Sequence, residues 1–240
     1  MQHRRKKVNW FLRPYSANRN NSHSFISPVH EGIVRALQCR RFGRYKVNAP
    51  QETSADSSFV MLWGHLGKER VDLVDEQTIE FLKSLRARIH SETRRRNVFR
   101  VILADSHAQI NGVPASGYLE TVRQKLERDG FEAANLSSYW KKWGLNRTKV
   151  LAHVEKVRLT NPKLELELLR GARFYRGGSP AGHLVYYAMR SLEKPHVTNE
   201  FSSHVFLTYN SPSYRAILPD LPIGYIRARP GTSRPPWMPA

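Results

Sequence analysis

The sequence predicts an α/β domain, a mostly parallel sheet flanked by helices, preceded by an irregular basic N-terminal arm. Three observations predict it. Two short runs, Ser58 to Trp63 (SFVMLW) and Phe99 to Ala104 (FRVILA), are continuously apolar, as strands buried on both faces must be. A segment with helical hydrophobic spacing follows each of them. The connections are short, and strand, helix, strand, helix, strand in chain order is the pattern a parallel sheet requires.

Taken in order, residues 1–27 read as the arm and Pro28 to Phe42 as a helix, through Ile33, Leu37 and Cys39, with Glu31 early and Arg40 and Arg41 late. Lys46 to Ser57 is polar around Pro50 and reads as a linker. The first strand, 58–63, ends at the loop Gly64-His65-Leu66-Gly67-Lys68. Asp75 to His90 spaces Ile79, Leu82, Leu85 and Ile89 three to four apart, with acids at its start. The second strand, 99–104, runs into Asp105-Ser106-His107. Tyr118 to Asp129 is a helix closed by Gly130, and Phe131 to Leu136 a short strand. Thr148 to Arg173 is helical, broken near Asn161-Pro162 by proline sterics. A helix from Gly182 to Leu192 precedes strands at His204 to Tyr209 and Ile223 to Arg227, and Pro230 to Ala240 is a Pro-rich tail. The expected organisation is an arm (1–27), one α/β domain (28–229) and a tail (230–240). Right-handed crossovers bring the loops after Trp63 and Ala104 to one sheet edge, where open α/β sheets bind ligands.

Composition bounds the function. The 240 residues are 40% hydrophobic, enough for a core, so wholesale disorder is excluded. No run of 18 uncharged apolar residues occurs, and the single Cys39 excludes a disulfide framework or a cysteine zinc site within one chain. A soluble, cytoplasmic protein without a membrane partner is expected. Lys and Arg number 39 against 20 Asp and Glu, a net charge of +19. Residues 1–50 hold eleven of those cations against Glu31 alone, so more than half the excess lies in the first fifth. Such a chain releases counterions from a polyanion and is expected to bind nucleic acid; a solubilising arm is the alternative. An organelle-targeting segment fits less well, because Arg4 to Lys7 form one block and Asn18 to Ser24 are polar without amphipathic period.

Four constellations could carry chemistry. Gly64-x-x-Gly67-Lys68 lacks the length and the Ser/Thr of a P-loop; His65 and Lys68 could meet an acidic or carbonyl group, or the segment is a plain strand-to-helix turn. Asp105-Ser106-His107, with Asn111 and Gly112 behind it, puts ionisable groups at a buried strand's carboxyl end. Asp105 could orient a substrate amine or cap the next turn, and His107 could carry a proton or position the turn. Tyr186, Arg190 and Glu193 share a helical face beside Tyr187, with Tyr209 and Asn210 after the next strand. They suit an amino-acid head group, or else a surface ion pair among core tyrosines. Arg94, Arg95 and Arg96, then Trp140, Lys141, Lys142, Trp143, Arg147 and Lys149, interleave cations with aromatics and suit RNA, or form a hydrophobic hinge with solvated lysines. No His/Asp spacing suggests a metal.

Residues 58–140 resemble two families. The strand, the lysine-bearing loop and helix, and the stretch Val101 to Val122 (VILADSHAQINGVPASGYLETV) are similar to isonitrile synthases of the pyoverdine/dityrosine type. The same unit resembles tRNA-dependent cyclodipeptide synthases, which are Rossmann-like, basic, of similar length, and carry an Asp-Thr-His turn after a strand. Tyr187, Glu193 and Tyr209 echo that family's later Tyr, Glu and Tyr. Its serine after the first strand is replaced here by Gly64-His65-Leu66-Gly67, and the spacing from Glu193 to Tyr209 differs. Divergent members that use arginyl-tRNA as one donor depart strongly from the usual motifs and offer this chain a home.

This resemblance implies a Rossmann-like fold, aminoacyl-tRNA as partner, no cofactor, and formation of a cyclic dipeptide. It implies that Asp105 and Glu193 hold the aminoacyl amine and that His107 and Tyr209 handle protons. Ser106 is then an alternative nucleophile. His65, Lys68, Asn111, Tyr186, Tyr187, Arg190 and Asn210 would line the substrate site. Arg94, Arg95, Arg96, Lys141, Lys142, Arg147 and Lys149 would meet the RNA. A net charge of +19 favours tRNA over the free amino acid of an isonitrile synthase. A non-catalytic RNA-binding protein on an α/β scaffold is the third reading.

Overall fold

The computed structural model describes residues 45–48, 58–64, 68–94, 97–112, 116–164, 166, 180–209 and 212–228. They contain six strands: β1 (Tyr45–Asn48), β2 (Ser58–Trp63), β3 (Phe99–Leu103), β4 (Glu132–Asn135), β5 (His204–Thr208) and β6 (Ile223–Ala228). The helices are α1 (Leu73–Thr93), α2 (Asp105–Ile110), α3 (Ser116–Arg128), α4 (Leu136–Trp143), α5 (Arg147–Thr160) and α6 (Pro180–Glu200), with a 3-10 turn at Pro212–Ile217. All six strands form one sheet in the order β1-β6-β5-β2-β3-β4. Five strands run parallel, and β1 adds antiparallel to β6 at the edge. The expected Rossmann-like architecture is the observed one. The chain leaves β2 toward β3 and β4 on one side and toward β5 and β6 on the other, so the order reverses between β2 and β5.

Period-two alternation splits the strand residues between two cores. Phe59, Met61, Trp63, Phe99, Val101, Leu103, Val205 and Leu207 pack on one face with Ile79, Leu82, Leu85 and Ile89 of α1 and Val122 and Leu126 of α3. Val60, Ile102, Phe206 and Ile223 face the other way, onto Trp140 of α4, Val150, Val154 and Val157 of α5, and Leu184 and Ala188 of α6. Full burial of each Leu, Ile or Phe contributes about 1.5–3 kcal/mol, which is why these apolar positions decide the layering.

Local chemistry sets the helix ends. The Asp72 carboxylate accepts from the Val74 and Asp75 N–H groups while the Asp75 carboxylate accepts from the Asp72 N–H, a reciprocal cap that starts α1. Gly130, at φ 75°, turns the chain out of α3 in a conformation that a Cβ would strain.

Four expectations are corrected. The segment after Lys46 is not wholly linker, because Tyr45–Asn48 is an edge strand. Asp105–Ile110 is a helix rather than a turn, and Leu136–Trp143 is a helix rather than a hinge. The helix expected to end at Leu192 runs on to Glu200, through the exposed Pro195. A proline here withdraws one N–H, and solvent can satisfy the freed carbonyl on an exposed face. The arm, the Pro28 to Phe42 helix and the tail lie outside the described residues. Among the described residues no helix is long and apolar enough to cross a membrane.

Candidate active site

The carboxyl end of β3 passes directly into α2, and Ala104 supplies no side-chain cap. Asp105 Oδ1 accepts from the Ser106 N–H and from the Ser137 N–H, both at 2.9 Å, and Oδ2 accepts from Ser137 Oγ at 2.5 Å. Asn135 makes no side-chain cap for α4, so Asp105 serves that helix from a distance of 32 positions. Its carboxylate thus joins α2 to α4, as the capping alternative expects. Asn111 closes α2 in the same spirit: its Nδ2 donates to the His107 carbonyl at 2.7 Å.

This turn carries His107 against the middle of α6. His107 Nε2 lies 2.7 Å from Glu193 Oε1, which also accepts from Trp140 Nε1 at 2.8 Å, and Arg190 Nη1 donates to Glu193 Oε2 at 2.6 Å. Glu193 is 0% exposed and Arg190 2% exposed, so the expected surface pair is a buried one. Burial alone would raise the Glu193 pKa; the charges of His107 and Arg190, with hydrogen bonds from His107 and Trp140, outweigh it and hold the group at about 2. The carboxylate therefore stays ionised and fixes Nε2 as the donor nitrogen of His107. Nδ1 points away from this carboxylate and makes no hydrogen bond to a described residue. The Trp140 and Tyr186 rings stand edge-on to the imidazole, each 6.2 Å away between centroids, and fix its plane.

A cavity of 420 Å³ opens beside this cluster, walled by Ser106, Ser137, Trp140, Lys141, Asn146 and Arg147 among others. Ser106 is 3% exposed. The cavity wall offers the Ser106 hydroxyl and the cations Lys141 and Arg147, and Trp140 separates it from the imidazole that Glu193 orients. An imidazole hydrogen-bonded to a carboxylate is a group that general base chemistry can use, and cations suit an anionic ligand. Among the described residues no group of three or more His, Cys, Asp or Glu is placed to hold a metal.

The structure thus brings together His107, Tyr186, Arg190 and Glu193, and sets Ser106, Lys141 and Arg147 on the neighbouring cavity. Others do not join them. Lys68 turns to the opposite face, where Nζ meets Asp75 Oδ2 at 2.6 Å and Asp72 Oδ1 at 2.7 Å. Tyr209, one step beyond Leu207 in the alternation, packs on that same far core rather than beside Glu193. Tyr187 is half-buried against the α4–α6 core. Arg94 closes α1 at the sheet's other edge, beyond the amino end of β3, with φ 57°. Lys142 is paired with Glu200 at 2.6 Å. Lys149 lies in the first turn of α5, where its N–H is capped by Asn146. His65, Arg95, Arg96 and Asn210 lie outside the described residues.

Two features escaped the sequence. Trp140, read with its lysines as a surface for stacking bases, is buried and serves Glu193 instead. On the far face Trp63 Nε1 donates to Tyr118 OH at 3.0 Å, and Tyr118 donates to Asp75 Oδ1 at 2.9 Å, extending the Lys68 pair into a buried chain. Burial foremost, aided by the Asp75 and Asp72 charges, pushes the Tyr118 phenol far above its ordinary value, so it remains a donor. At Gly64 the fit is tight: a Cβ there would lie 3.2 Å from Ala104 Cβ.

No family model matches the chain, and no curated protein does. Among solved structures, the PvcA protein from Pseudomonas aeruginosa superposes with a TM-score of 0.50 at 17% identity, over 77% of this chain and 73% of PvcA. A cyclo(L-leucyl-L-phenylalanyl) synthase does so with a TM-score of 0.37 at 16% identity, over 72% of this chain and 91% of that one. A CDPS from Fluoribacter dumoffii gives a TM-score of 0.41 at 14% identity, over 77% and 98%. The superposition on PvcA shows a shared fold.

Proposed function

We propose that the chain is an aminoacyl-tRNA-dependent amide-bond-forming enzyme of the cyclodipeptide-synthase kind. The observation that carries this reading is His107, held through Nε2 by an ionised, fully buried Glu193 beside a cavity with a cationic rim. A cavity of 420 Å³ accommodates an aminoacyl group. The net charge of +19 suits a polyanionic carrier of that group.

In this reading the amine of one aminoacyl ester attacks the carbonyl carbon of the other. His107 Nδ1 takes the proton as the C–N bond forms. The ester C–O bond then breaks, and the departing ribose oxygen leaves protonated. A second such attack closes the ring and releases the second tRNA. A covalent route would use Ser106 Oγ as the first acceptor, since the position after β2 is a glycine. Glu193, Arg190 and Trp140 act through His107 and are positioning residues, and Asp105 positions the whole turn. Lys141 and Arg147 hold the carrier.

The test is incubation of the purified chain with charged tRNAs and mass spectrometry of the products. A cyclic dipeptide that disappears on ribonuclease treatment is expected. Product formed from free amino acids regardless of ribonuclease refutes the reading and favours an isonitrile synthase, assayed with tyrosine or tryptophan and ribulose 5-phosphate.

A further inference from the structure

We infer that the cavity at the elbow between α4 and α5 is a phosphate-binding subsite. This rests on the proposed function and deepens it, by assigning where a phosphoester of the substrate is gripped.

The first turn of α5 places Arg147 and Lys149 at the helix's positive end and contains no acidic residue. Cations there oppose the backbone dipole, whereas α1 begins with Asp75 and Glu76 as the dipole favours. An anion seated at this end reverses the sign of that cost, because it meets exposed N–H groups and the two cations together. The Asn146 side chain caps only the Lys149 N–H, which leaves the N–H groups of Arg147 and Thr148 pointing out of the helix end.

A second, independent observation points the same way. Ser106, from a different element, is 3% exposed and forms part of the cavity wall. Its hydroxyl has no hydrogen-bond partner among the described residues, whereas the neighbouring Ser137 hydroxyl is taken by Asp105. A hydroxyl left open on a cavity wall is available to a ligand seated there. Lys141 and Arg147, on the same cavity, have no acidic partner among the described residues, in contrast to Lys142 on Glu200. One hydroxyl, two uncompensated cations and a helix amino end therefore converge on one volume. Phosphate is the ligand with enough acceptor oxygens and charge to use them all. Trp140 floors the cavity and reaches Glu193 through its Nε1, so a phosphate seated there is one indole away from the His107 pair.

Binding is measured on the full chain by fluorescence anisotropy of a labelled RNA hairpin with a single-stranded 3′ end. Inorganic phosphate and ribulose 5-phosphate serve as competitors. Lys141→Ala and Arg147→Ala, both exposed and safe for folding, should each weaken RNA binding about tenfold. Arg128→Ala removes the same charge from α3 on the opposite face and should change it less than about twofold. Ser106→Ala should weaken competition by inorganic phosphate. Equal losses for all three cation variants would mean diffuse attraction and overturn the subsite, as would no loss at all. If RNA binding ignores Lys141 and Arg147 but ribulose 5-phosphate binding depends on them, the subsite stands and its ligand is the small sugar phosphate. Cyclic dipeptide formation is scored separately. Product made while both variants bind like the parent overturns the subsite and keeps the activity. No product, with both variants deficient in binding, keeps the subsite and removes the activity.

Discussion

Replacing Glu193 by Gln removes one charge and almost no volume, which isolates the electrostatics of the buried cluster. The carboxylate is held at about 2 against an ordinary value of 4.5. That difference is worth about 3 kcal/mol of folding stability at neutral pH. Arg190, 2% exposed and already without a partner for its Nε, would be left without its countercharge. Breaking a buried pair from one side costs about 3–5 kcal/mol, so the two routes agree. Because the folded-state pKa is depressed, the contribution is complete above 4.5 and drains away as the pH falls toward 2. Urea unfolding of parent and variant, followed by tryptophan fluorescence, should therefore show a deficit of about 3 kcal/mol at pH 7 that shrinks to less than half by about pH 3. A deficit under about 1 kcal/mol at pH 7, or one that does not change with pH, would refute the reasoning.

His107→Asn should lower kcat for dipeptide formation by about 10²–10⁴-fold while leaving KM nearly unchanged, because the lost group moves a proton rather than binding substrate; steady-state kinetics with charged tRNA read both constants. Gly64→Ser should destabilise the fold by about 1–3 kcal/mol through the 3.2 Å approach to Ala104 Cβ, and Ala104→Gly in the same chain should recover much of the loss. Tyr118→Phe takes a hydrogen bond from both Trp63 Nε1 and Asp75 Oδ1 and should cost about 1–3 kcal/mol in thermal or urea unfolding, with kcat intact.

The central strands were legible because burial on both sides demands unbroken hydrophobic runs, and SFVMLW and FRVIL are such runs. YKVN at β1 carries no such demand: it is an edge strand paired with β6 alone, and its Lys46 and Asn48 read as linker. α2 and α4 were hidden because each starts at a strand's end without a local cap, and the cap α4 does use, Asp105, is remote in sequence. The helical face of Arg190 and Glu193 could be read from i, i+3 spacing, and His107 from its place after a buried strand. That they meet, 86 positions apart, no spacing could reveal. Trp140 misled because its neighbours Lys141 and Lys142 are exposed, while helical rotation turns the indole inward. Tyr209 misled because chain order puts it soon after Glu193, while strand alternation sends it to the other side.

The sheet keeps its two polar knots apart: Trp63, Tyr118, Asp75 and Lys68 beneath α1 and α3, and His107, Trp140, Arg190 and Glu193 beneath α4 and α6. With a full layer of hydrocarbon between them, changes in one should add independently to changes in the other. A lineage could then remodel its reactive side, trading substrates or chemistry, while the opposite side went on securing the scaffold.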